Sequence, residues 1–310
     1  MTEVVRGLDA VVPAESVVTI GNFDGVHRGH RVLLRRATDT GRHLEVRSVA
    51  VTFDPHPAAV LRPELAPPAL QRTEDRIAAL AATGVDQVVV VPFTRELAAL
   101  EPRAFVARVL HARLHAVRVI VGTNFRFGHR AAGDLVTLVE EGEEHGFDVE
   151  AVTLLDLDGM AISSTAIRER LAAGELDWPT RALGRPHVVV GTVVPGDGRG
   201  RTIGVPTANL DVAAGVLVPG DGVYAGHLEF DGTRYDAAIN VGVRPTFAAG
   251  RSVEAHVLDA TLELYGREVA VSFLHRLRGE QRFDGPEALV AQIRSDLAAA
   301  RTRLRSLGAR

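Results

Sequence analysis

Two histidines lie three residues apart near the start of the chain, directly after an apolar segment. They are His27 and His30, within residues 21–30, which read G-N-F-D-G-V-H-R-G-H. Residues 17–20 predict a buried strand, and the apolar spacing after Arg31 predicts a helix, with both imidazoles on one face of its first turn. A helix N-terminus carries unpaired N–H groups and a partial positive charge, so this arrangement suits the phosphates of a nucleotide.

Other interpretations of the histidine pair remain open at this point. Two histidines at this spacing are half of a zinc site, although no third ligand lies nearby in the sequence. A plain surface turn is the other alternative. Gly21, Gly25 and Gly29 favour a ligand site, because glycine lets the backbone approach a ligand closely and adopt dihedral angles that a β-carbon forbids.

Polar loops follow two more of the predicted strands. Residues 54–57 read D-P-H-P after the second strand, and Asn124 lies in G-T-N-F-R-F-G-H after the fourth. Phe125 and Phe127 in this loop are core residues, a surface for ring stacking, or one of each. Ligands bind beyond the carboxyl ends of the strands in open parallel sheets, so the shared location of these loops predicts one site.

Residues 162–168, which read I-S-S-T-A-I-R, precede another predicted helix. Ser163, Ser164 and Thr165 can cap that helix, and a capping motif with no ligand is the simpler interpretation. Arg168 would lie one helical turn after Ser164 or Thr165. Hydroxyls, backbone amides and a guanidinium could therefore converge on a phosphate.

The second half contains a polar segment at residues 196–210, G-D-G-R-G-R-T-I-G-V-P-T-A-N-L. Thr207 and Asn209 are two residues apart, so in an extended segment their side chains project to the same side. Their oxygens suit a magnesium ion that keeps water and phosphate as its other ligands. A solvent-exposed turn is the alternative. Glu254, further on, is either a general base or a solvated acid.

These residues need a scaffold, and the first half alternates between strand and helix patterns. This alternation predicts an α/β domain with a parallel sheet covered by helices on both faces. The predicted strands are residues 17–20, 46–53, 87–91, 117–121 and 149–154, and the predicted helices are residues 31–40, 74–82, 104–114 and 134–145.

The pattern changes at residues 178–186, where two prolines and a glycine precede short strands with glycine turns. Closely spaced strands without long helices between them predict a small antiparallel barrel. The predicted strands are residues 188–194, 222–229, 235–241, 253–258 and 269–274, and an amphipathic helix is expected after Phe283.

Composition excludes several classes of protein. The chain has 310 residues, 46% of them hydrophobic, which predicts two domains. It has no cysteine, which excludes thiolate chemistry and fits a reducing cytoplasm, and no lysine, which excludes a P-loop lysine or a Schiff base. The net charge of -4 and the 5% aromatic content argue against nucleic-acid binding. No apolar run approaches the ~20 residues of a membrane span, so a soluble protein is expected.

The combined motifs resemble those of one family over nearly the whole chain. The first half contributes the histidine motif, T-F-D-P-H-P, G-T-N-F-R-F-G-H-R-A-A-G-D and I-S-S-T-A-I-R. The second half contributes G-R-T-I-G-V-P-T-A-N-L, D-G-V-Y-A-G, N-V-G-V-R-P-T-F, V-E-A-H-V-L-D and L-Y-G. In this order they resemble the prokaryotic bifunctional riboflavin kinase/FMN adenylyltransferases, also called FAD synthetases. The flavin-family strings count against a nucleotidyltransferase for a different small phosphate.

The resemblance implies that residues 1–183 form a Rossmann-like nucleotidyltransferase domain, which transfers AMP from ATP to FMN. His27 and His30 match the histidines that contact the ATP phosphates, and Asn124 matches an asparagine near them. Ser164, Thr165 and Arg168 match the residues that embrace the departing pyrophosphate. The residues expected to bind ATP are Gly21, Phe23, Asp24, His27, His30, Asn124, Ser163, Ser164, Thr165 and Arg168, of which His27, His30 and Arg168 are expected to be catalytic.

The resemblance implies that residues 184–310 form a riboflavin kinase barrel with a terminal helix, which moves the γ-phosphate of ATP to the 5′-hydroxyl of riboflavin. Thr207 and Asn209 match the residues that hold magnesium with ATP, and Glu254 matches the proposed base. The residues expected to bind ATP or riboflavin are Gly198, Arg201, Gly204, Thr207, Asn209 and Arg278. Pro195 and Val205 depart from the histidine and phenylalanine common in the family, and we expect both to be tuning changes, although Pro195 could alter the loop that closes over the nucleotide.

The expected partners are small molecules: riboflavin, FMN and ATP, with Mg²⁺ as the cofactor and FAD as the product. Neither a nucleic acid nor a membrane is expected as a partner, a homo-oligomer is compatible with the sequence, and the expected location is the cytoplasm.

Overall fold

The computed structural model describes residues 1–196, 204–243 and 251–308. Contacts divide the chain into two compact units. The first consists of Met1–Pro67 and Arg72–Ser163, and the second of Pro68–Gln71 and Ser164–Arg310. The domain boundary expected after residue 183 stays a prediction.

The first unit is built on a parallel sheet, as predicted. Within residues 1–163, which are described without a gap, the sheet has six strands in the order β1-β4-β3-β2-β5-β6. The strands are β1 (Glu3–Arg6), β2 (Ser16–Ile20), β3 (Arg47–Asp54), β4 (Gln87–Pro92), β5 (Ala116–Gly122) and β6 (Asp148–Val152). The sequence patterns identified all of them except β1.

Helices cover both faces of this sheet. Every residue of β2 is buried. Its consecutive residues Val17 and Val18 point to opposite faces of the sheet: Val17 belongs to a core cluster with Ala37 of the first helix, and Val18 to another with Leu138 of the sixth helix. The helices are α1 (Arg28–Leu44), α2 (Pro57–Leu61), α3 (Thr73–Ala81), α4 (Arg95–Ala98), α5 (Pro102–Phe105) and α6 (Leu135–His145), with a π-helix at Val106–His111 and a hairpin of β7 (Asp156–Leu157) and β8 (Met160–Ala161). The single helix expected at residues 104–114 is therefore divided between α5 and the π-helix.

Strand order reverses at β2, which pairs with β3 on one side and β5 on the other. All three strands are parallel, so the loops that follow them leave the same edge of the sheet. A crevice at such a switch point is where open α/β sheets bind ligands.

Charged pairs mark one edge strand of this sheet, and short length marks the other. On β6, Asp148 binds Arg118 at 2.6 Å and Glu150 binds Arg36 at 2.6 Å. At the opposite edge, β1 has four residues, Glu3–Arg6. Exposed ion pairs of this kind contribute little to stability, about 0–1 kcal/mol each.

The second unit contains a closed barrel with strand order β10-β13-β12-β11-β14-β9, all pairs being antiparallel, as predicted. Two helices, α7 (Ser164–Ala172) and α8 (Asp177–Leu183), precede it, and α9 (Pro286–Gly308) follows it. The strands are β9 (His187–Val194), β10 (Ala208–Val212), β11 (Gly222–Phe230), β12 (Thr233–Val243), β13 (Arg251–Val257) and β14 (Glu268–Arg278). The strand patterns missed β10.

Apolar residues fill the inside of the barrel, and other apolar residues on its outer face pack against the terminal helix. Val253 and Ala255 on β13 are at most 1% exposed and alternate with half-buried polar residues, which places the apolar set inside. On the outside, Ala225 and Ala238 form a cluster with Ala300 of α9. Among the residues that the structure describes, none of the helices has both the length and the apolarity needed to cross a membrane.

Candidate active sites

Helix α1 begins at the histidine pair, and His27 is its N-cap residue. The Nδ1 atom of His27 accepts a hydrogen bond from the backbone N–H of His30 at 3.3 Å. Since Nδ1 is an acceptor, the neutral ring carries its hydrogen on Nε2. His27 is only 4% exposed. The helix therefore begins with a preorganised side-chain donor beside its own N-terminal amides.

The two histidine rings are stacked. Their centroids lie 3.5 Å apart with an interplanar angle of 18°, and the ring of Phe23 meets His30 edge-on at 5.2 Å. A β-carbon at Gly29 would lie 3.2 Å from the His27 ring, and one at Gly21 would lie 3.4 Å from the Phe23 ring. The structure thus brings four of the residues expected from the sequence (Gly21, Phe23, His27 and His30) into one cluster.

A buried arginine lies close to Asp24 of the histidine loop. Arg76 on α3 is 3% exposed and Asp24 is 1% exposed, and Nη2 of Arg76 donates to the carbonyl oxygen of Phe53 at 2.7 Å. Burial lowers the pKa of Arg76, and the negative charges of Asp24 and Asp54 oppose that shift. Asp24 therefore contributes to a buried charge network at the ends of β2 and β3, and its expected contact with ATP stays a prediction.

A hydrogen bond joins the loops that follow β2 and β3. The side-chain amide nitrogen of Asn22, Nδ2, lies 3.2 Å from Nε2 of His56. The other ring nitrogen, Nδ1, accepts from the N–H of Ala58 at the start of α2, at 3.1 Å. Two of the three loops expected to share a site are thus in contact.

Asn124 lies just beyond the carboxyl end of β5, the strand next to β2. Its Oδ1 would lie 3.0 Å from a β-carbon at Gly122, so the amide packs over the last residue of the strand. Phe127 is buried in the core, and Phe125 packs against the same core with the two rings stacked at 5.4 Å. Both phenylalanines are therefore core residues, whereas Asn124 is exposed, as are Thr123 and Arg126.

The I-S-S-T-A-I-R segment begins beside helix α1. A β-carbon at Gly29 would lie 3.7 Å from the carbonyl oxygen of Ile162. The residue before Ser163 therefore reaches the turn that holds the histidine pair, and Ser163 is the last residue of the first unit.

Helix α7 carries the rest of that segment in the second unit. It begins at Ser164, continues with Thr165 and has Arg168 one turn later, as expected. The Nε atom of Arg168 donates to the carbonyl oxygen of Pro68 at 2.8 Å, which restrains the guanidinium. The expected role of these three side chains in binding the departing pyrophosphate stays a prediction.

A row of polar residues crosses three strands of the barrel. Asn209 on β10 is paired directly with Glu254 on β13, and Glu254 is paired directly with Asn240 on β12. Residues opposite each other in antiparallel strands lie on the same face, with β-carbons about 5 Å apart. Val253 and Ala255 point into the barrel, so this row lies on its outer face. The Glu254 carboxylate therefore has an amide side chain on either side.

Asn209 packs against the backbone of Gly196. A β-carbon at Gly196 would come within 2.6 Å of Cγ and 2.8 Å of Oδ1 of Asn209, which leaves no room for a side chain. Asn209 is 9% exposed, and Thr207, two residues earlier, is half-buried. The two expected magnesium ligands thus lie in a partly enclosed position beside the glutamate.

The remaining residues expected in the kinase site are more varied. Gly204 is exposed and has a φ of 77°. Arg278 on β14 donates to both carboxylate oxygens of Asp296 on α9, from Nε at 3.0 Å and from Nη2 at 2.8 Å. This bidentate pair fastens α9 to the barrel, and a contact of Arg278 with substrate stays a prediction. Gly198 and Arg201 lie outside the described residues.

Comparison with known proteins identifies the family of this chain. Residues 10–166 match the sequence model of the FAD synthetase family, and residues 183–304 match that of the riboflavin kinase family. The bifunctional riboflavin kinase/FMN adenylyltransferase of Pseudomonas fluorescens is 41% identical over 303 residues, which cover 96% of this chain and 97% of that protein. This chain belongs to the same family. The Escherichia coli K12 member is 40% identical over 304 residues, which cover 96% and 97% of the two chains.

A solved structure agrees with this assignment of fold. A crystal structure titled macrolide-efflux protein, from Streptococcus pneumoniae, has a TM-score of 0.87 and 29% identity, covering 97% of this chain and 98% of that one. For this FAD synthetase family member, the match to the first family model ends at residue 166, which includes Ser164 and Thr165 but not Arg168.

Arg76, Gly196 and His56 were given no role in the sequence analysis of this family member, although His56 was quoted in its motif. Arg76 sits in an ordinary helix pattern, and nothing in the sequence pairs it with Asp24. Gly196 lies in the glycine-rich run that the sequence analysis singled out. A glycine is needed at this position because Asn209 packs against it across the β9–β10 pair.

Gly196→Ala is expected to lower kcat/KM of the riboflavin kinase step for ATP by about ten- to hundredfold, because the added methyl group displaces the Asn209 amide while the strands remain paired. Steady-state kinetics of FMN formation measure this effect. Gly285→Ala is the matched control, since a β-carbon there meets nothing within 4 Å. Wild-type kinetics for Gly196→Ala would show that this glycine does not hold Asn209 in place.

Proposed function

We propose that the first unit transfers the adenylyl group of ATP to FMN. The observation that carries this proposal is the stacked His27–His30 pair at the N-terminus of α1, at the switch point of a parallel sheet. An FMN phosphate oxygen attacks the α-phosphorus of ATP in line, and the bond to the bridging oxygen breaks, which yields FAD and pyrophosphate.

Positioning and charge neutralisation account for the acceleration of this step. The Nε2 hydrogen of His27, the ring of His30 and the first amides of α1 supply donors to the phosphates. The Asn124 amide lies at the end of the neighbouring strand. Ser163, Ser164, Thr165 and Arg168 are proposed to hold the departing pyrophosphate. The reaction needs no covalent intermediate, which agrees with a chain that has neither cysteine nor lysine.

We propose that the barrel phosphorylates riboflavin on its outer face. Glu254 accepts the proton of the riboflavin 5′-hydroxyl, the hydroxyl oxygen attacks the γ-phosphorus of ATP, and ADP leaves. The Asn209–Glu254 strand pair carries this proposal, because it places a carboxylate beside a group suited to hold the nucleotide. Glu254 is half-buried and so remains accessible to a substrate.

The residues present suit a magnesium ion that binds together with ATP. Thr207 and Asn209 offer two neutral oxygens, and in the described parts of the chain no group of three or more histidine, aspartate or glutamate side chains is arranged to hold a metal ion. An ion that keeps water and phosphate oxygens as its other ligands matches this donor set. Bound there, magnesium would neutralise the charge of the triphosphate.

The expected division after residue 183, the cytoplasmic location and a homo-oligomeric assembly belong to the same proposal. So does the restriction of the partners to riboflavin, FMN and ATP, with no nucleic acid or membrane. These expectations rest on the composition of the chain and on the family resemblance of its motifs.

The product profile tests the proposal. Purified protein is incubated with riboflavin, ATP and MgCl₂, and the flavins are separated by chromatography over time. FMN is expected first and FAD afterwards, with pyrophosphate released in step with FAD, and replacement of MgCl₂ by EDTA is expected to stop both products. Absence of both FMN and FAD in the complete mixture would contradict the proposed function.

A further inference from the structure

A histidine on the barrel forms a hydrogen bond to the P-T-A-N segment, residues 206–209. The Nδ1 atom of His256 lies 2.7 Å from the carbonyl oxygen of Pro206. A carbonyl oxygen only accepts hydrogen bonds, so Nδ1 carries the hydrogen and donates it. The contact spans 50 residues of sequence, and it therefore ties β13 to the segment that leads into β10.

His256 lies on the same strand as Glu254, beside the residues expected at the kinase site. It lies two residues after Glu254 on β13, so both side chains lie on the outer face of the barrel. Asn209 is opposite Glu254 and Ala208 is opposite Ala255. The same register, continued by one residue, brings Thr207 opposite His256.

The carbonyl group of Pro206, which accepts this hydrogen bond, restrains the backbone of Thr207. It belongs to the peptide group between Pro206 and Thr207, and because a peptide group is planar, a hydrogen bond to its oxygen also fixes the direction of the Thr207 N–H. Residues 204–207 lie before the first residue of β10, so the ladder bonds of the strand do not hold them. A side-chain donor at this point supplies the missing restraint.

We propose that His256 is a positioning residue of the riboflavin kinase, which holds the Pro206–Thr207 peptide so that Thr207 and Asn209 meet MgATP on the face that carries Glu254. This inference rests on the proposed function of the barrel. It assigns His256 no contact with substrate and no proton transfer.

Two substitutions separate the hydrogen bond from the bulk of the ring. His256→Leu keeps most of the volume and removes the donor, while His256→Asn retains an N–H donor close to the position of Nδ1. His256→Leu is expected to lower kcat/KM for MgATP about tenfold, the usual worth of one such bond. The KM for riboflavin should stay within about twofold, and His256→Asn should recover most of the loss.

His227→Leu is the matched control. His227 is also half-buried on the outer face of the barrel, on β11, where its Nδ1 lies 3.9 Å from Asp236. It is expected to leave both kinase constants unchanged. Adenylylation of added FMN and the thermal unfolding midpoint are measured for every variant, so that loss of folding is recognised.

Three results would overturn the inference: wild-type MgATP kinetics in His256→Leu, no recovery in a folded His256→Asn, or an equal loss in His227→Leu. These outcomes differ from failure of the proposed function, in which the unaltered protein itself would make no FMN.

Discussion

Glu254→Gln is expected to lower riboflavin phosphorylation by about 10²- to 10⁴-fold, the usual contribution of a general base. Glutamine keeps the shape of the side chain and its place between Asn209 and Asn240, but it cannot accept the proton of the 5′-hydroxyl. FMN formation from riboflavin, followed by chromatography, measures the loss. FAD formation from added FMN should continue at the wild-type rate, because that step is assigned to the other unit.

A second variant in the same row tests binding separately from proton transfer. Asn209→Ala should also impair FMN formation and spare FAD formation from added FMN, but its effect should fall mainly on the KM for MgATP. If Glu254→Gln phosphorylated riboflavin at the wild-type rate, the proposed base would be wrong. If either variant lost both activities while its unfolding midpoint stayed unchanged, the assignment of the two steps to separate sites would be wrong.

His30→Ala is expected to reduce FAD formation by about 10²- to 10³-fold, which is the usual effect of removing one preorganised donor to a transition state. The alanine also removes the ring that stacks on His27 at 3.5 Å, so the remaining imidazole loses its support. FMN should accumulate when riboflavin is supplied, since the kinase step does not use this residue.

His43→Ala is the matched control, because His43 lies in the last turn of the same helix and is exposed. It should leave FAD formation unchanged. Equal losses in the two variants would indicate that the helix, and not the N-terminal imidazole, limits activity. A wild-type rate in His30→Ala would remove this histidine from the proposed mechanism.

Much of the fold could be predicted because most strands are apolar runs of sufficient length. In β2 and β4 the valine runs identified the strand to within a residue or two at each end. Strand β1 was missed because its four residues, Glu3–Arg6, include two charges. Strand β10 was missed because Ala208–Val212 contains Asn209 and Asp211, and its strand conformation comes from pairing with β9 and β13.

The candidate sites divide in the same way. Residues inside a local motif, such as the histidine pair, could be identified because the turn and the helix start are encoded within ten residues. Arg76, Gly196 and His256 could not, since each acts on a segment at least 13 residues away in sequence. Their roles depend on which segments become neighbours in the folded protein, and a local sequence pattern does not contain this information.

The parallel sheet and the barrel protect their backbones from unwanted pairing in different ways. The barrel closes on itself through β9 and β14, so its strands offer no open edge to another chain. The open sheet ends at β6, where the acidic side chains paired with Arg36 and Arg118 place charge along the edge, and at β1, which is too short to template a long intruding strand. Charged or short edges resist edge-to-edge aggregation, so the open sheet of the first unit is compatible with a protein that stays dispersed at high concentration.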